Sequence, residues 1–427
     1  MKLRRNLISI VFLLPLINGS CKNINYSQKG MAIEKNKMKP DNFNLVENSI
    51  MFFNKNAYSN EFKTYFSEVD TNGNVTSDNI HLVALSRLIY ALEYASKFDS
   101  KYEERAVDAS KFFLSHMIVK DSIGNYFNET VSTANEALDQ KSLGIWQQSY
   151  GLCGLVAIYR LTKDEKTLKI IHQVFDGYIK RFHDEQSLGF VGSYSFADGS
   201  QFNDKSLQSI LYPLSAALFY LWEIDIDNRD KYEPFIKENT ALLLDKSWNP
   251  DLGWVNLKFD SEWNLCGKVN NTEPCYNVSP GHNFQLSWVL LKLSNFSFLE
   301  DKTRTRCKEL GNSILENTMK KSIWAKEVSN GFVSEINPAN NTIISKQKTW
   351  WQHAEAITAL SYAKEKYSNE FKMLLNFFTT NFVDFKNGNE HFCLNEDNSP
   401  VLDKPKGSMG KSSYHITEMI YYMNQNQ

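Results

Sequence analysis

Lys346-Gln-Lys-Thr-Trp-Trp-Gln-His-Ala-Glu-Ala-Ile-Thr-Ala-Leu360 reads as an apolar helix that opens on Trp350, Trp351, His353 and Glu355. A histidine and a carboxylate two residues apart project in different directions from a helix, so one core cannot receive both. At least one of them serves something other than packing. Apolar residues recur at the same helical period in about twelve segments, near 44–67, 78–97, 103–119, 141–161, 165–183, 205–223, 230–247, 282–297, 302–321, 348–366, 368–384 and 411–424. Strand-like alternation is scarce.

The connections between these segments alternate in length. Thr162-Lys-Asp164 and Asp225-Ile-Asp-Asn228 are short, whereas the stretches near 120–141, 184–205, 248–281, 322–347 and 385–410 are long. Helical hairpins with every long loop at one end give this pattern, and six of them in a ring make an all-α (α/α)6 toroid. The inner helices are then those entered from the long loops, beginning near 78, 141, 205, 282, 348 and 411. Those loops repeat one device, an aromatic beside a turn glycine, in Gly124-Asn-Tyr-Phe127, Leu188-Gly-Phe190, Leu252-Gly-Trp254 and Asn330-Gly-Phe332. Such aromatics either close the rim or stack on sugar rings.

A net charge of −2 and 42% hydrophobic residues describe a globular chain with no electrostatic footprint for nucleic acid. Met1-Lys-Leu-Arg-Arg5, the apolar run Leu7–Ile17 and Asn18-Gly-Ser-Cys21 read as an export signal over residues 1–20, with Cys21 placed for lipidation. The apolar run is too short to remain as a membrane-spanning helix, so any membrane contact is through the lipid anchor alone. Residues 21–40 read as a flexible tether and 41–427 as a single catalytic domain. An exported chain permits disulfides, and Cys266 and Cys275, which flank a polar loop, are the candidate pair. No His or Cys spacing marks a metal site, and no cofactor is expected.

His282, His353 and His415 each stand in the first or second turn of an expected inner helix, which in a toroid directs all three at one pocket. Lys346–Ala356 resembles the Lys-x-Trp-Trp-x-His-x-Glu-Ala segment of the N-acylglucosamine 2-epimerase family, whose relatives include cellobiose 2-epimerases and aldose–ketose isomerases. Ser279-Pro-Gly-His282-Asn-Phe-Gln285-Leu-Ser-Trp288 is similar to that family's Gly-His-x-Ile-Glu-x-x-Trp, Lys406-Gly-Ser-Met-Gly-Lys411-Ser-Ser-Tyr-His415 to its closing segment, and Leu85-Ser-Arg87-Leu-Ile-Tyr90 to an early Arg motif. The resemblance implies that His282 and His415 exchange a proton beside a sugar carbonyl, that Arg87 holds substrate oxygens, and that Glu355 orients its neighbours or binds hydroxyls. Trp350, Trp351, Gln285, Tyr212 and Lys411 complete the expected substrate site.

Two positions depart from the family pattern. Gln285 replaces a glutamate, and Tyr212 stands where the third inner helix often carries a histidine, both being positions tied to sugar-ring opening. Two histidine bases with Arg87, Lys205, Lys348 and Lys411 nearby fit β-elimination at a uronic acid, where cations neutralise the carboxylate as enolate charge develops. The expectation is therefore an exported dehydratase or lyase acting on uronic-acid-containing oligosaccharides, with a sugar 2-epimerase or aldose–ketose isomerase as the alternative. A glycoside hydrolase needs two carboxylates, and Glu355 is the only one well placed in the sequence.

Overall fold

The computed structural model describes residues 38–426 except 134–137, 139, 203, 267–275 and 321–330. The described residues belong to one compact unit, Lys35–Gln427. The signal, Cys21 and most of the tether therefore lie outside the described residues, as do Cys275 and Asn330. Among the described residues no helix is long and apolar enough to cross a membrane.

The described helices are α1 Phe43–Asn56, α2 Leu82–Ser96, α3 Glu103–His116, α4 Ile145–Thr162, α5 Glu165–Phe182, α6 Leu207–Tyr212, α7 Phe219–Ile224, α8 Glu233–Lys246, α9 Pro280–Leu293, α10 Asp301–Lys320, α11 Trp350–Tyr362, α12 Ser368–Phe377 and α13 Tyr414–Gln425. Inner and outer helices alternate as the loop lengths imply. The inner helices are far more deeply buried than the outer ones: each residue of α2 from Leu82 to Ala95 is buried, whereas α5 buries one stripe, including Ile171, Val174, Phe175 and Tyr178.

The inner helices close a ring. α2 packs on α4, α4 on α6 and the turn that follows it, α9 on α11, α11 on α13, and α13 back on α2, with α1 against both α2 and α13. The step from α7 to α9 is made by the Lys292–Glu223 ion pair at 2.9 Å and by Phe219 stacked on Phe296. This is the six-hairpin toroid.

Local departures from the expected segments have local causes. The first helix stops at Asn56, because Tyr58–Ser59 folds back on Thr64–Tyr65 around Lys63 in the left-handed region. α2 starts at Leu82, since Asn79–His81 is drawn into pairing with Thr130–Ser132. The third inner helix is broken by a π-helical segment, Pro213–Leu218, where proline lacks the N–H that a regular ladder needs.

The long loops are stiffened by short antiparallel pairs and by a repeated Asx turn. Asp121, Asp184, Asn249 and Asp384 each accept two backbone N–H bonds from the next two or three residues, and a left-handed glycine, 124, 189, 253 or 388, reverses the chain. A cation from later in the chain clamps three of these turns: Arg181 on Asp121, Lys205 on Asp184 at 2.8 Å and Lys406 on Asp384 at 2.6 Å.

Candidate active site

The first turns of the inner helices converge at the end of the ring that carries the long loops. Arg87, buried in α2, lays its guanidinium over Tyr150 at 4.0 Å and near Tyr414 at 5.1 Å, donates to the Gly410 carbonyl, and leaves its Nε without a partner. Tyr150 of α4 packs against Tyr212 at the end of α6, and half-buried Trp146 joins them. His282 in α9 is half-buried, with its ring 5.1 Å from that of Trp351, and its Nδ1 meets no donor or acceptor. Burial lowers the imidazole to about 4, so it is neutral at ordinary pH.

Opposite, His415 in the first turn of α13 lies 6.3 Å ring to ring from Trp351 and 6.1 Å from Trp350. Its Nδ1 is 3.2 Å from Glu355 Oε1, within pairing distance although not aligned as a hydrogen bond. Burial first, then the charges of Arg87 and Lys411, hold His415 well below its usual range. Glu355 Oε2 accepts the Trp288 indole N–H at 2.5 Å, which orients the carboxylate. One helical turn beyond His415, Glu418 Oε1 accepts the hydroxyls of Tyr414 at 2.6 Å and Tyr220 at 2.9 Å.

The site therefore has a floor of Arg87, Tyr150, Gln285, Glu355 and His415, and half-exposed walls of Trp146, Tyr212, His282 and Trp351. Buried Gln285 Oε1, like His282 Nδ1 and Arg87 Nε, has no partner among the described residues. Buried polar atoms are ordinarily satisfied, and this many orphans around one cleft fit a polar ligand.

Several expected site residues are engaged elsewhere. His353 is fully buried, with Nδ1 donating to the Thr349 carbonyl at 2.7 Å, Nε2 accepting the Phe332 N–H at 3.2 Å, and its ring stacked on Phe332 at 4.0 Å. Both nitrogens are occupied, so His353 braces the loop before α11 and cannot act as an acid or base. Lys411 is a buried partner of Glu390 at 3.2 Å and sits over Trp350, whose ring packs on Phe392. Lys348 donates to the Glu396 carbonyl and to Asn398 Oδ1, both at 2.7 Å, and Lys205 belongs to the Asp184 turn. Of the four cations expected around the substrate, only Arg87 faces it. Cys266 is disulfide-bonded, while Cys153, Cys307 and Cys393 are free.

A family model for N-acylglucosamine 2-epimerase (GlcNAc 2-epimerase) matches residues 64–419, which is most of the chain. The chain belongs to the N-acylglucosamine 2-epimerase family. A cellobiose 2-epimerase from Ruminococcus albus is 21% identical over 285 residues, covering 64% of this chain and 68% of that one. The same fold occurs in the cellobiose 2-epimerase of Spirochaeta thermophila, with TM-score 0.76, 16% identity and 90% and 94% of the two chains covered. It occurs also in a D-mannose isomerase, with TM-score 0.75, 17% identity and coverage of 90% and 97%.

Membership of the N-acylglucosamine 2-epimerase family overturns the expected β-elimination, and with it the lyase assignment; the sequence relatives carry an isomerase activity in their names. The site gives a physical reason. The lysines needed to neutralise a uronate are committed to structural partners, and two buried carboxylates, Glu355 and Glu418, lie behind His415, where they oppose a second negative charge. Glu418 was not found from the sequence, and neither were Trp146, Tyr150 and Tyr220. The available signal was a carboxylate three residues after His415 on the same face of a helix that is otherwise apolar.

Proposed function

We propose that this protein is a carbohydrate epimerase of the isomerase class, inverting the carbon next to the carbonyl of a reducing saccharide. The observation that carries the reading is the pair His282 and His415: two neutral imidazoles from different inner helices, each with its ring within 6.3 Å of that of Trp351. One takes the proton from C2 and leaves an enediolate; the other returns a proton to the opposite face. His415 gains basicity at Nε2 when its Nδ1–H points at Glu355, the same division of labour as a carboxylate behind a catalytic histidine. Arg87 stabilises the charge that develops on the oxygens, and Trp146, Tyr212 and Trp351 offer faces on which sugar rings stack. Gln285 cannot transfer a proton, which leaves the ring-opening step to other groups.

The relatives named cellobiose 2-epimerase support a carbohydrate substrate and place a β-linked disaccharide first among those to test. The pattern Met1–Cys21 supports export with a lipid on Cys21. Incubation with cellobiose, glucose and mannose in heavy water tests the activity: the expected product is the 2-epimer carrying one deuterium at C2. His282→Ala and His415→Ala should each lower turnover by roughly 10² to 10⁴. A wild-type protein that leaves every reducing sugar unexchanged, or releases an unsaturated product, sinks the reading.

A further inference from the structure

Behind His415 the axis of the ring holds two carboxylates. One ligand atom each of Glu355, His415 and Glu418 lies within 4.8 Å of the others, and all three residues are buried. Among the described residues neither carboxylate has a hydrogen-bonded cation. Arg87 is spent on the Gly410 carbonyl and three aromatic rings, Lys292 on Glu223 and Tyr422, and Lys411 on Glu390. Among the described residues the other titratable groups turned toward the pair are Tyr90 from α2, Tyr150 and Cys153 from α4, Tyr212 from α6, Tyr220 from α7, Tyr362 from α11, and Tyr414 and Tyr422 from α13. Burial raises every one of these, so all stay neutral and supply no charge.

Two like charges this close in a buried site cannot both be kept without a counter-ion. The neighbours also differ. Glu418 receives two hydroxyl donors on Oε1, whereas Glu355 receives one indole N–H on Oε2 and has the imidazole nitrogen beside Oε1, so the two carboxyls are held differently.

We infer that Glu355 and Glu418 hold one proton between them, and that Glu418 is thereby a positioning residue whose charge decides whether Glu355 donates to His415 Nδ1 or accepts from it. With the proton on Glu418, Glu355 is anionic, His415 carries its hydrogen on Nδ1, and Nε2 presents a lone pair to the sugar. With the proton on Glu355 instead, Glu355 donates to Nδ1 and His415 takes its other tautomer, the Nδ1 hydrogen having left to water and one from water having been taken up at Nε2, so that Nε2–H is the donor and the three groups hold two hydrogens in either state. One stored proton thus lets the same imidazole start either as base or as acid, as an epimerase working in both directions requires. Burial raises both carboxyls well above the usual range, and for Glu418 the charge of Glu355 adds to it. The role in turnover rests on the epimerase reading; the shared proton does not.

Infrared difference spectra of the full chain against pH test it. Wild type at neutral pH should show the C=O stretch of one protonated carboxyl, shifted in heavy water and lost as the pH rises. In Glu418→Gln the band should titrate lower by about one pH unit or more, because the second charge is gone, and the acid limb of turnover should move with it. A merely structural Glu418 would leave both midpoints unmoved, and that result overturns the inference. So does a wild type without the band at neutral pH, or one that retains a stoichiometric divalent metal in its place. If Glu418→Gln does not fold, the wild-type band alone decides. A band that behaves as expected in a protein inert toward all sugars would uphold the shared proton and remove the epimerase reading; normal epimerisation without the band would do the reverse.

Discussion

His353 shows how an imidazole at a helix start becomes architecture. Its Nδ1–H and Nε2 join the Thr349 carbonyl to the Phe332 N–H, and burial lowers it to about 3. The unfolded chain holds a histidine of ordinary affinity, near 6.5. Between these values the unfolded state binds more protons than the folded one, so stability rises with pH across that window. His353→Phe should therefore cost about 1–3 kcal/mol at pH 7, from the unsatisfied backbone groups, and the gap to wild type should narrow as the pH falls from 6.5 toward 3. Denaturant midpoints measured across that range check it; a gap independent of pH would show that the imidazole is not held neutral. The sequence did say that His353 and Glu355 cannot share one environment. It did not say which faces the axis, because the rings that enclose His353 come from Phe332 in a loop and Phe377 and Phe382 on the outer layer. Glu418 escaped notice for a related reason: its meaning depends on Tyr220, nearly 200 residues away.

At the scale of elements, the Asx-turn clamps explain the lysines that looked like substrate ligands. Lys205 is wholly buried, and its ammonium has Asp184 and the Leu188 carbonyl as partners. Removing the anion leaves a buried charge unpaired, whereas removing the cation leaves an aspartate that is still partly solvated and still capped by two N–H groups. Asp184→Ala is thus expected to destabilise by about 3–5 kcal/mol, with Lys205→Met well below that and the double variant recovering most of the loss. Equilibrium unfolding of the three variants measures the cycle, and equal effects from both single changes would refute the clamp. The helices and their order were legible from period and loop length. The clamps were not, since each joins residues of different hairpins and the pattern in sequence is only an aspartate before a turn glycine.

The whole molecule is a ring whose axis is chemically divided. At the loop end lie His282, His415 and Glu355; further along the same helices lies an ion triad, Glu223 between Arg160 at 2.8 Å and Lys292 at 2.9 Å, with Lys292 also donating to Tyr422. Its three members come from α4, α7 and α9, and Tyr422 adds α13, so the triad and its tyrosine tie four inner helices together. His282 and Lys292 are ten residues apart on α9, about 15 Å at the helical rise of 1.5 Å per residue. Alternating loops made the ring legible in sequence, but nothing in it joined Glu223 to Arg160. Glu223→Gln leaves two cations without their anion and should destabilise by about 3–5 kcal/mol. Turnover per folded molecule should stay within about threefold of wild type, since no group at the site loses a contact. Arg160 and Lys292 hold the Glu223 carboxyl below the usual range against the opposing effect of burial. The unfolded state accordingly binds the proton first as the pH falls, and the stability lent by Glu223 is present above its unfolded value and lost as the pH drops through the folded one. The difference between wild type and Glu223→Gln should therefore be full at pH 7 and shrink below about pH 4.5. Unfolding midpoints at pH 7, 5 and 3.5, paired with turnover on the epimerised sugar at pH 7, separate this from its rival: a loss of turnover in the folded variant would mean that the two ends of the axis are coupled.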